Sequence, residues 1–565
     1  MYCNKENVNI LTALLIAAGV KDAVVCPGSR NAPIVHNLNE AAEIDCHPVT
    51  DERSAGFYAI GLAQATARPV VVCVTSGSAL LNLAPAVAEA HYQQVPVVVV
   101  SADRPPQWIG QLDGQTLPQQ GAFGPMARCS VQLLEPHCDE ERWACRRLAA
   151  EALYKATAKG GAPVHINVPI SEPLFGFTTE QLPVVPALHL HTAPACWDKS
   201  EALTAFRQAS RPMVVMGQMG DGAVSAATMH ALMGRYVVVA EPLGNATYAA
   251  VHADEAVRVL TAAEAEGTLT ADDVEAYLPD CCLYVGGTVV SKAVRRFLRR
   301  AKARTWLVTT DAMAAADPLM SLTDVVECAE GGVDALLASL CTDGTDGTGG
   351  GSAAYRKRWT ALLGRCADRA ESFEPPFSQM AAVKYFESQL DDLDADLHVH
   401  YANSTAVRLA CIYAAHRVWC NRGVNGIEGS LSTAAGFSLG TSDMVVCVTG
   451  DLSFFYDQNA LWNQRLRGNL RIILLNNHGG GIFRQLPGLE ASAAADSMVA
   501  AAHQTEARGI CTQNDVGYLK AANMEEMQIG VVTLLTQPSE RPMLLEVFTD
   551  AGADAEALKK YFASL

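Results

Sequence analysis

VVCVTGDLSFFYDQNALWNQRLRGNLRIILLNNHGGGIF, residues 445–483, is the stretch on which the reading of the fold rests. Two aliphatic runs, VVCVTGD and RIILLNN, flank one amphipathic segment of helical length, the pattern of a βαβ unit in a parallel sheet. Ligands of such sheets sit beyond the carboxyl ends of the strands. There the first run ends on Asp451 and the second on Asn476 and Asn477. A carboxylate, an amide oxygen and a backbone carbonyl in the Gly-rich turn make a hard-oxygen half-shell. Mg²⁺ accepts that arrangement, with phosphate oxygens and water completing its octahedron. Gly479, Gly480 and Gly481 let backbone N–H groups approach a diphosphate closely. Strand-end Asp and Asn also serve as caps and turn formers in any α/β protein, so the rest of the chain has to decide.

At 565 residues the chain has room for three or four domains and an ample core. A hydrophobic content of 50% with 18% charged residues describes a soluble globular protein. The net charge of −18 argues against nucleic acid or an anionic membrane as the main partner. No apolar run approaches membrane-spanning length. In the opening NVNILTALLIAAGV, Ile10, Leu11, Leu14, Leu15 and Ala18 share one helical face, and DAVVCPGS follows at once. It reads as the first helix of the fold, not a targeting segment. Seventeen cysteines, an odd number with no C-x-x-C pair, sit mostly inside apolar runs. Free buried thiols in a reducing cytoplasm are the expectation.

Strand patterns alternate with helical ones along three similar-sized blocks. Residues 1–174 carry AVVCPGS, PVVVCVTSG, VPVVVVSADRP and PVHINVPISEPL. A Pro-rich stretch, 175–194, reads as a linker. Residues 195–341 form a second block, with RPMVVMGQMG, YVVVAEPLG, CCLYVGGTVVS and TWLVTTD. The Gly/Thr tract TDGTDGTGGGSA opens a second linker, 342–371. Residues 372–565 form the third block. Three doubly wound parallel α/β domains are expected. The middle block has Gly-rich turns but no G-x-G-x-x-G, so a structural βα turn is the reading there.

The first block supplies three polar clusters. CPGSRNAPI ends a strand in a turn with Ser29 and Arg30. TDERSAGFYAIGLAQAT opens a small-residue helix on Asp51 and Glu52, and a first-turn acid also complements the helix dipole. SADRPPQWIGQLDGQT places Arg104, Gln111 and Gln115 in a polar loop after a buried strand.

Gly-Asp, the intervening 25 residues and the Asn-Asn end resemble the signature of thiamine diphosphate (ThDP) enzymes, with Leu452 where Gly is common. GSRNAP, DERSAGFYAIGLA, VTSGSALLNLAPAVAEA, SADRPP, NRGVNGIEGSLSTAAG and GDLSFFYDQNAL together resemble one branch, the menaquinone-pathway synthases that join isochorismate to 2-oxoglutarate. The likeness is dense in the first and third blocks and thin in the middle one. It implies a pyruvate decarboxylase-like architecture with pyrimidine-binding, central and diphosphate-binding domains in that order. It implies a Stetter-like conjugate addition to isochorismate after 2-oxoglutarate loses CO₂.

By the same resemblance Glu52 meets N1′ of the aminopyrimidine, and Gln115 joins it as a catalytic residue. Ser76, Gly77, Asn403, Ile427, Gly450, Ser453, Gly480 and Gly481 line the cofactor, Ile427 supporting its bend. Asp451, Asn477 and the Gly479 carbonyl hold Mg²⁺, with Mn²⁺ as the alternative ion. The resemblance also implies a homodimer or homotetramer with sites between subunits.

Both implied substrates are dicarboxylates, so an acidic chain must concentrate positive charge locally. Arg30, Arg104, Lys292, Arg408 and Arg422 match basic positions of the family, and guanidinium forks bind carboxylates in bidentate fashion. Ser404 and Arg408 lie four apart on an expected helix and can face one pocket. With Ser29 these are the expected substrate contacts; Ile482 and Phe483 supply an apolar wall. Any one basic residue taken alone reads first as a solvated surface charge, Lys292 above all, beside Arg295 and Arg296; motif context is what favours Arg30, Arg408 and Arg422. Two departures stand out: Gly114 replaces an Asn beside Gln115, and His478 stands where Asn is common. Two competing readings are an acetohydroxyacid synthase-like carboligase, commonly carrying FAD, and a non-catalytic ThDP-fold binder. Retention of Glu52 with Asp451 and Asn477 speaks against the second.

Overall fold

The computed structural model describes residues 1–185, 201–244, 251–329, 331–342, 350–390, 393, 396–483 and 488–565. Valine-rich runs form three sheets, and among the described residues every strand pairing within them is parallel. The first sheet contains β1 (Asp22–Val25), β2 (Asp45–Pro48), β3 (Val70–Val74), β4 (Val97–Asp103), β5 (Cys129–Gln132) and β6 (Val164–Pro169). The second contains β7 (Pro212–Met216), β8 (Val237–Ala240), β9 (Cys281–Val285), β10 (Arg304–Thr309) and β11 (Leu322–Glu327). The third contains β12 (Leu397–Tyr401), β13 (Val418–Trp419), β14 (Met444–Gly450), β15 (Leu470–Asn476), β16 (Gly517–Ala521) and β17 (Met543–Phe548).

The strand orders are β2-β1-β3-β4-β6-β5, β11-β10-β9-β7-β8 and β13-β12-β14-β15-β17-β16. The first and third sheets therefore share one topology. Both are covered on two faces by helices, so β3, β4, β6 and β15 are buried along their whole length. The doubly wound α/β expectation holds.

The two equivalent sheets meet through equivalent helices. Glu52–Thr66, between β2 and β3, lies against Ser430–Gly440, between β13 and β14, and one continuous core holds Phe57, Tyr58, Leu431 and Phe437. The approach is backbone to backbone. A Cβ on Gly61 would stand 2.0 Å from the Thr433 carbonyl oxygen, and one on Gly436 2.3 Å from that of Tyr58. The middle sheet joins the third: Leu243 and Val290 enter the third core, and Gln218 Nε2 donates to the Cys420 carbonyl at 2.8 Å.

The opening segment forms a helix, Glu6–Ala17, with Ile10, Leu11, Leu14 and Leu15 buried and Ala18 exposed at its end. Every described cysteine is free. Among the described residues no helix is long and apolar enough to cross a membrane.

Two local expectations need correction. Most of the stretch 342–371 is not a linker. Gly350–Ser372 is a helix whose Tyr355, Trp359, Leu362 and Cys366 enter the middle core at helical spacing, with Trp359 Nε1 donating to the Tyr277 carbonyl at 3.0 Å. Burying such side chains is worth about 2 kcal/mol each, enough to hold the helix beside its Gly/Thr tract. Residues 343–349 of that tract, and 186–194 of the first linker, lie outside the described residues. Nor is the segment after β14 one amphipathic helix. Asp451–Tyr456 is helical, and a 3-10 turn, Gln458–Leu461, follows. The break falls at Asp457, whose buried carboxylate accepts from Ser432 N and Oγ, both at 2.7 Å, across the domain.

Candidate active site

The carboxyl ends of β14 and β15 lie side by side, because Gly450 pairs with Leu475 in register. Asp451 is 3% exposed there. Its Oδ2 accepts from Gly479 N at 2.9 Å and its Oδ1 from Leu452 N at 2.7 Å, while His503 Nε2 stands 3.4 Å from Oδ2. Burial pushes its carboxyl up, opposed by those N–H groups and by His503. Asn477 is buried, its Nδ2 donating to Asp554 Oδ2 at 2.8 Å, and its Oδ1 has no partner among the described residues. Gly479 holds φ +156, and a Cβ there would stand 2.9 Å from the Ala500 carbonyl oxygen, so only glycine makes this turn without strain. Its carbonyl accepts one bond, from Gly481 N at 3.0 Å, leaving a lone pair. A buried carboxylate, an open amide oxygen and a backbone carbonyl with a free lone pair are a donor set that would fit Mg²⁺. The His478 ring lies 5.8 Å from that of Phe548 and 5.9 Å from that of His503.

A hydrogen-bonded array runs from this shell across the ends of β12 and β13. Ser453 Oγ donates to the Ile427 carbonyl at 2.5 Å. Asn403 Nδ2 donates to the carbonyls of Asn421 (2.6 Å) and Gly426 (2.7 Å), and its Oδ1 accepts from Arg422 Nη1 at 2.9 Å. Ser404 is the N-cap of Thr405–Tyr413 at φ +73, a strained conformation for serine. Its carbonyl accepts from Arg408 Nη1 at 2.7 Å. Burial and the neighbouring Arg422 charge hold Arg408 below the usual guanidinium range. Arg422 is itself buried, with an Nε that has no hydrogen-bond partner among the described residues. Among the described residues neither guanidinium makes a direct ion pair, although the charges of Asp254, Glu241 and Glu89 reach the two, so the pair can still accept an anion. Ile427 is 40% exposed, an apolar side chain left uncovered beside it.

The first sheet presents three polar loops at the carboxyl ends of its own strands. Glu52, half-buried, starts its helix and accepts from Asn82 Nδ2 at 3.4 Å. The helix start is anchored to the third block: Asn459 Nδ2 donates to Asp51 Oδ2 at 2.8 Å, and the Arg53 guanidinium lies 4.5 Å above the Tyr456 ring. Ser76 is buried, and Gly77 abuts the Gln115 backbone, where a Cβ would stand 3.1 Å away. Arg104 Nε donates to the carbonyl of Gly114 at 3.2 Å, so the departure at 114 lies at an arginine contact. Ser29 is exposed. Arg30 is buried and already engaged, donating to the Ile170 carbonyl (3.0 Å) and to Glu172 Oε1 (3.2 Å). The Glu172 carboxylate that pairs with it is 71% exposed, so an incoming anion competes with a solvated partner.

The remaining candidates are less committed. Lys292 is exposed at the start of Lys292–Ala301. The preceding Ser291 donates to Asp254, whose charge reaches Arg408, so this segment does border the guanidinium pair. Ile482 is partly exposed, and Phe483 packs over Gly480.

Sequence reasoning missed three buried acids. Glu89 accepts from Gly423 N and Val424 N, both at 2.7 Å, and so clamps the loop that carries Arg422 and Ile427. Glu241 accepts from Ser291 N at 2.8 Å, and burial pushes its carboxyl up to about 7. Asp554 holds the Asn477 amide. Each acts across long sequence separation, where no local motif marks it.

Residues 6–126 match the family described as "Thiamine pyrophosphate enzyme, N-terminal TPP binding domain", and residues 402–547 match "Thiamine pyrophosphate enzyme, C-terminal TPP binding domain". Over its full length the chain is similar to proteins named 2-succinyl-5-enolpyruvyl-6-hydroxy-3-cyclohexene-1-carboxylate synthase. It is 40% identical to that of Phocaeicola vulgatus (100% of this chain, 99% of the relative) and 40% identical to that of Bacteroides fragilis (100% of both). With the protein of that name from Desulfotalea psychrophila the identity is 34%, over 97% of this chain and 98% of the relative.

Proposed function

Because the chain belongs to the family of 2-succinyl-5-enolpyruvyl-6-hydroxy-3-cyclohexene-1-carboxylate (SEPHCHC) synthases, we propose that it decarboxylates 2-oxoglutarate and joins the product to isochorismate by conjugate addition, an early step of menaquinone biosynthesis. ThDP, when bound, supplies the electron sink that lets CO₂ leave. Glu52 holds the proton at the pyrimidine N1′. The Asp451 carboxylate, Asn477 Oδ1 and the Gly479 carbonyl hold Mg²⁺, and the same oxygens accept Mn²⁺. Ser76, Gly77, Asn403, Gly450, Ser453, Gly480 and Gly481 surround the cofactor, and Ile427 props its centre. Arg104 orients the Gln115 loop toward the reacting carbons. Arg408 and Arg422, with Ser404, bind and orient carboxylates; Ser29, Arg30 and Lys292 extend that basic rim, and Ile482 and Phe483 close it on an apolar side.

The observation that supports the choice of substrates is the half-buried Arg408 beside the buried Arg422, two cations with no direct ion pair among the described residues, which suit an acid with two carboxylates better than a monocarboxylate such as pyruvate. Arg408→Met should raise KM for one of the two acids by about 10- to 100-fold, the value of a charged hydrogen bond, with ThDP affinity unchanged. Unchanged KM for both acids would refute the assignment.

The active form is a homodimer or larger, each site shared between subunits. Leu81, Tyr92, Val424, Ile427, Tyr456 and Trp462 are all at least 40% exposed, and several flank the Glu52 and Arg422 loops, an apolar rim suited to a second copy. The chain works in the cytoplasm, where its free thiols stay reduced.

A further inference from the structure

Asn477 poses a chemical problem that its own position does not solve. An amide side chain is nearly symmetric in shape, but only its oxygen ligates a hard cation; turned over, it presents an N–H₂ group to the ion. Asp554, in the first turn of Ala551–Ala563, is buried against it. Three donors converge on that carboxylate: Gln379 N on Oδ1 at 2.8 Å, Asn477 Nδ2 on Oδ2 at 2.8 Å, and Thr549 Oγ1 on Oδ2 at 2.9 Å. A group that meets only donors is held as an acceptor. It therefore takes the nitrogen of Asn477, and the oxygen is left to face the other way. Gly481 confines the same amide, since a Cβ there would stand 2.8 Å from Nδ2.

We propose that Asp554 is a positioning residue for the metal shell, fixing the Asn477 amide with Oδ1 toward the ion while Gln379 N and Thr549 fix Asp554. This rests on reading Asp451, Asn477 and Gly479 as the Mg²⁺ shell. Groups that orient a metal ligand are worth about 10- to 100-fold in metal affinity when removed. In Asp554→Asn the new amide can donate to Asn477 Oδ1, which turns the metal ligand over.

The test is a Mn²⁺ titration of full-length protein with saturating ThDP, followed by the electron paramagnetic resonance signal of free Mn²⁺. Asp554→Asn should raise the Mn²⁺ Kd about 10- to 100-fold. The exchanged pair Asn477→Asp with Asp554→Asn should recover most of that loss, because a carboxylate at 477 presents oxygen in either orientation. A merely structural role of Asp554 predicts no such recovery. Wild-type Mn²⁺ affinity in Asp554→Asn overturns the proposal, as does a folded exchanged pair that binds no better than the single variant. Asp451→Ala separates the two levels of inference. If it binds Mn²⁺ as tightly as the wild type, the shell itself is wrong and the role of Asp554 falls with it.

Discussion

Glu52 and Asp451 carry different burdens, and substitution should separate them. Among the described residues the Glu52 carboxylate accepts one hydrogen bond, a long one from Asn82, so it is not consumed in holding the fold. Glu52→Gln should keep Mg²⁺–ThDP binding and lower turnover by about 10²- to 10⁴-fold, the usual worth of a positioned proton-transfer group. Near-normal turnover in assays at saturating cofactor would contradict the proton relay. Asp451→Ala should weaken ThDP binding itself, measured by titration at fixed Mg²⁺, and unchanged affinity would contradict the metal assignment. The residues of the proposed Mg²⁺ shell were legible in sequence because one βαβ unit carries them all, and register brings the ends of β14 and β15 side by side. Asp554 and Glu89 were not. They reach their partners across 77 and 334 positions, and nothing near a buried acid announces what it will meet. Arg30 was expected as a substrate contact by resemblance, and its engagement by Ile170 and Glu172 required coordinates.

Between elements, the crossing of Glu52–Thr66 with Ser430–Gly440 sets the position of Glu52 relative to the third sheet. Gly436→Val should cost about 1–3 kcal/mol by overpacking against Tyr58, read as a lower denaturant midpoint. The small-residue character of the Glu52 helix was read from sequence, but not the helix it would face. Strand β6 supplies a pH dependence. His165 bridges Ser101 Oγ at 2.7 Å and Ser130 Oγ at 3.2 Å, and burial pushes its imidazole down to about 4. A histidine whose folded pKa lies below its unfolded value contributes full stability above about pH 6.5 and loses it as pH falls toward 4. About 3 kcal/mol should be lost over that interval, and His165→Gln should flatten the slope of unfolding free energy against pH. An unchanged slope would contradict the assignment. The helix Gly350–Ser372 shows how a strong local signal misleads: the Gly/Thr tract before it drew attention from a clear apolar stripe at 355, 359, 362 and 366.

At the scale of the molecule, two sheets of identical strand order meet through equivalent helices, so the first and third blocks are related by approximate symmetry within one chain. Three α/β blocks were legible from strand runs, whereas the matching topology was not, since the two blocks share no repeated motif. If each site draws Glu52 from one subunit and Asp451 from another, mixing unfolded Glu52→Gln and Asp451→Ala chains and refolding them together should restore activity. Each heterodimer then holds one intact site. Activity no greater than the sum of the separately refolded variants would place both residues in the same chain's site. The most direct test of the whole assignment follows 2-oxoglutarate consumption by protein supplied with ThDP and Mg²⁺, with and without isochorismate, identifying products by mass. Consumption that depends on isochorismate and yields SEPHCHC is the expected result; consumption of pyruvate instead, or none of 2-oxoglutarate by protein that binds ThDP, would contradict it.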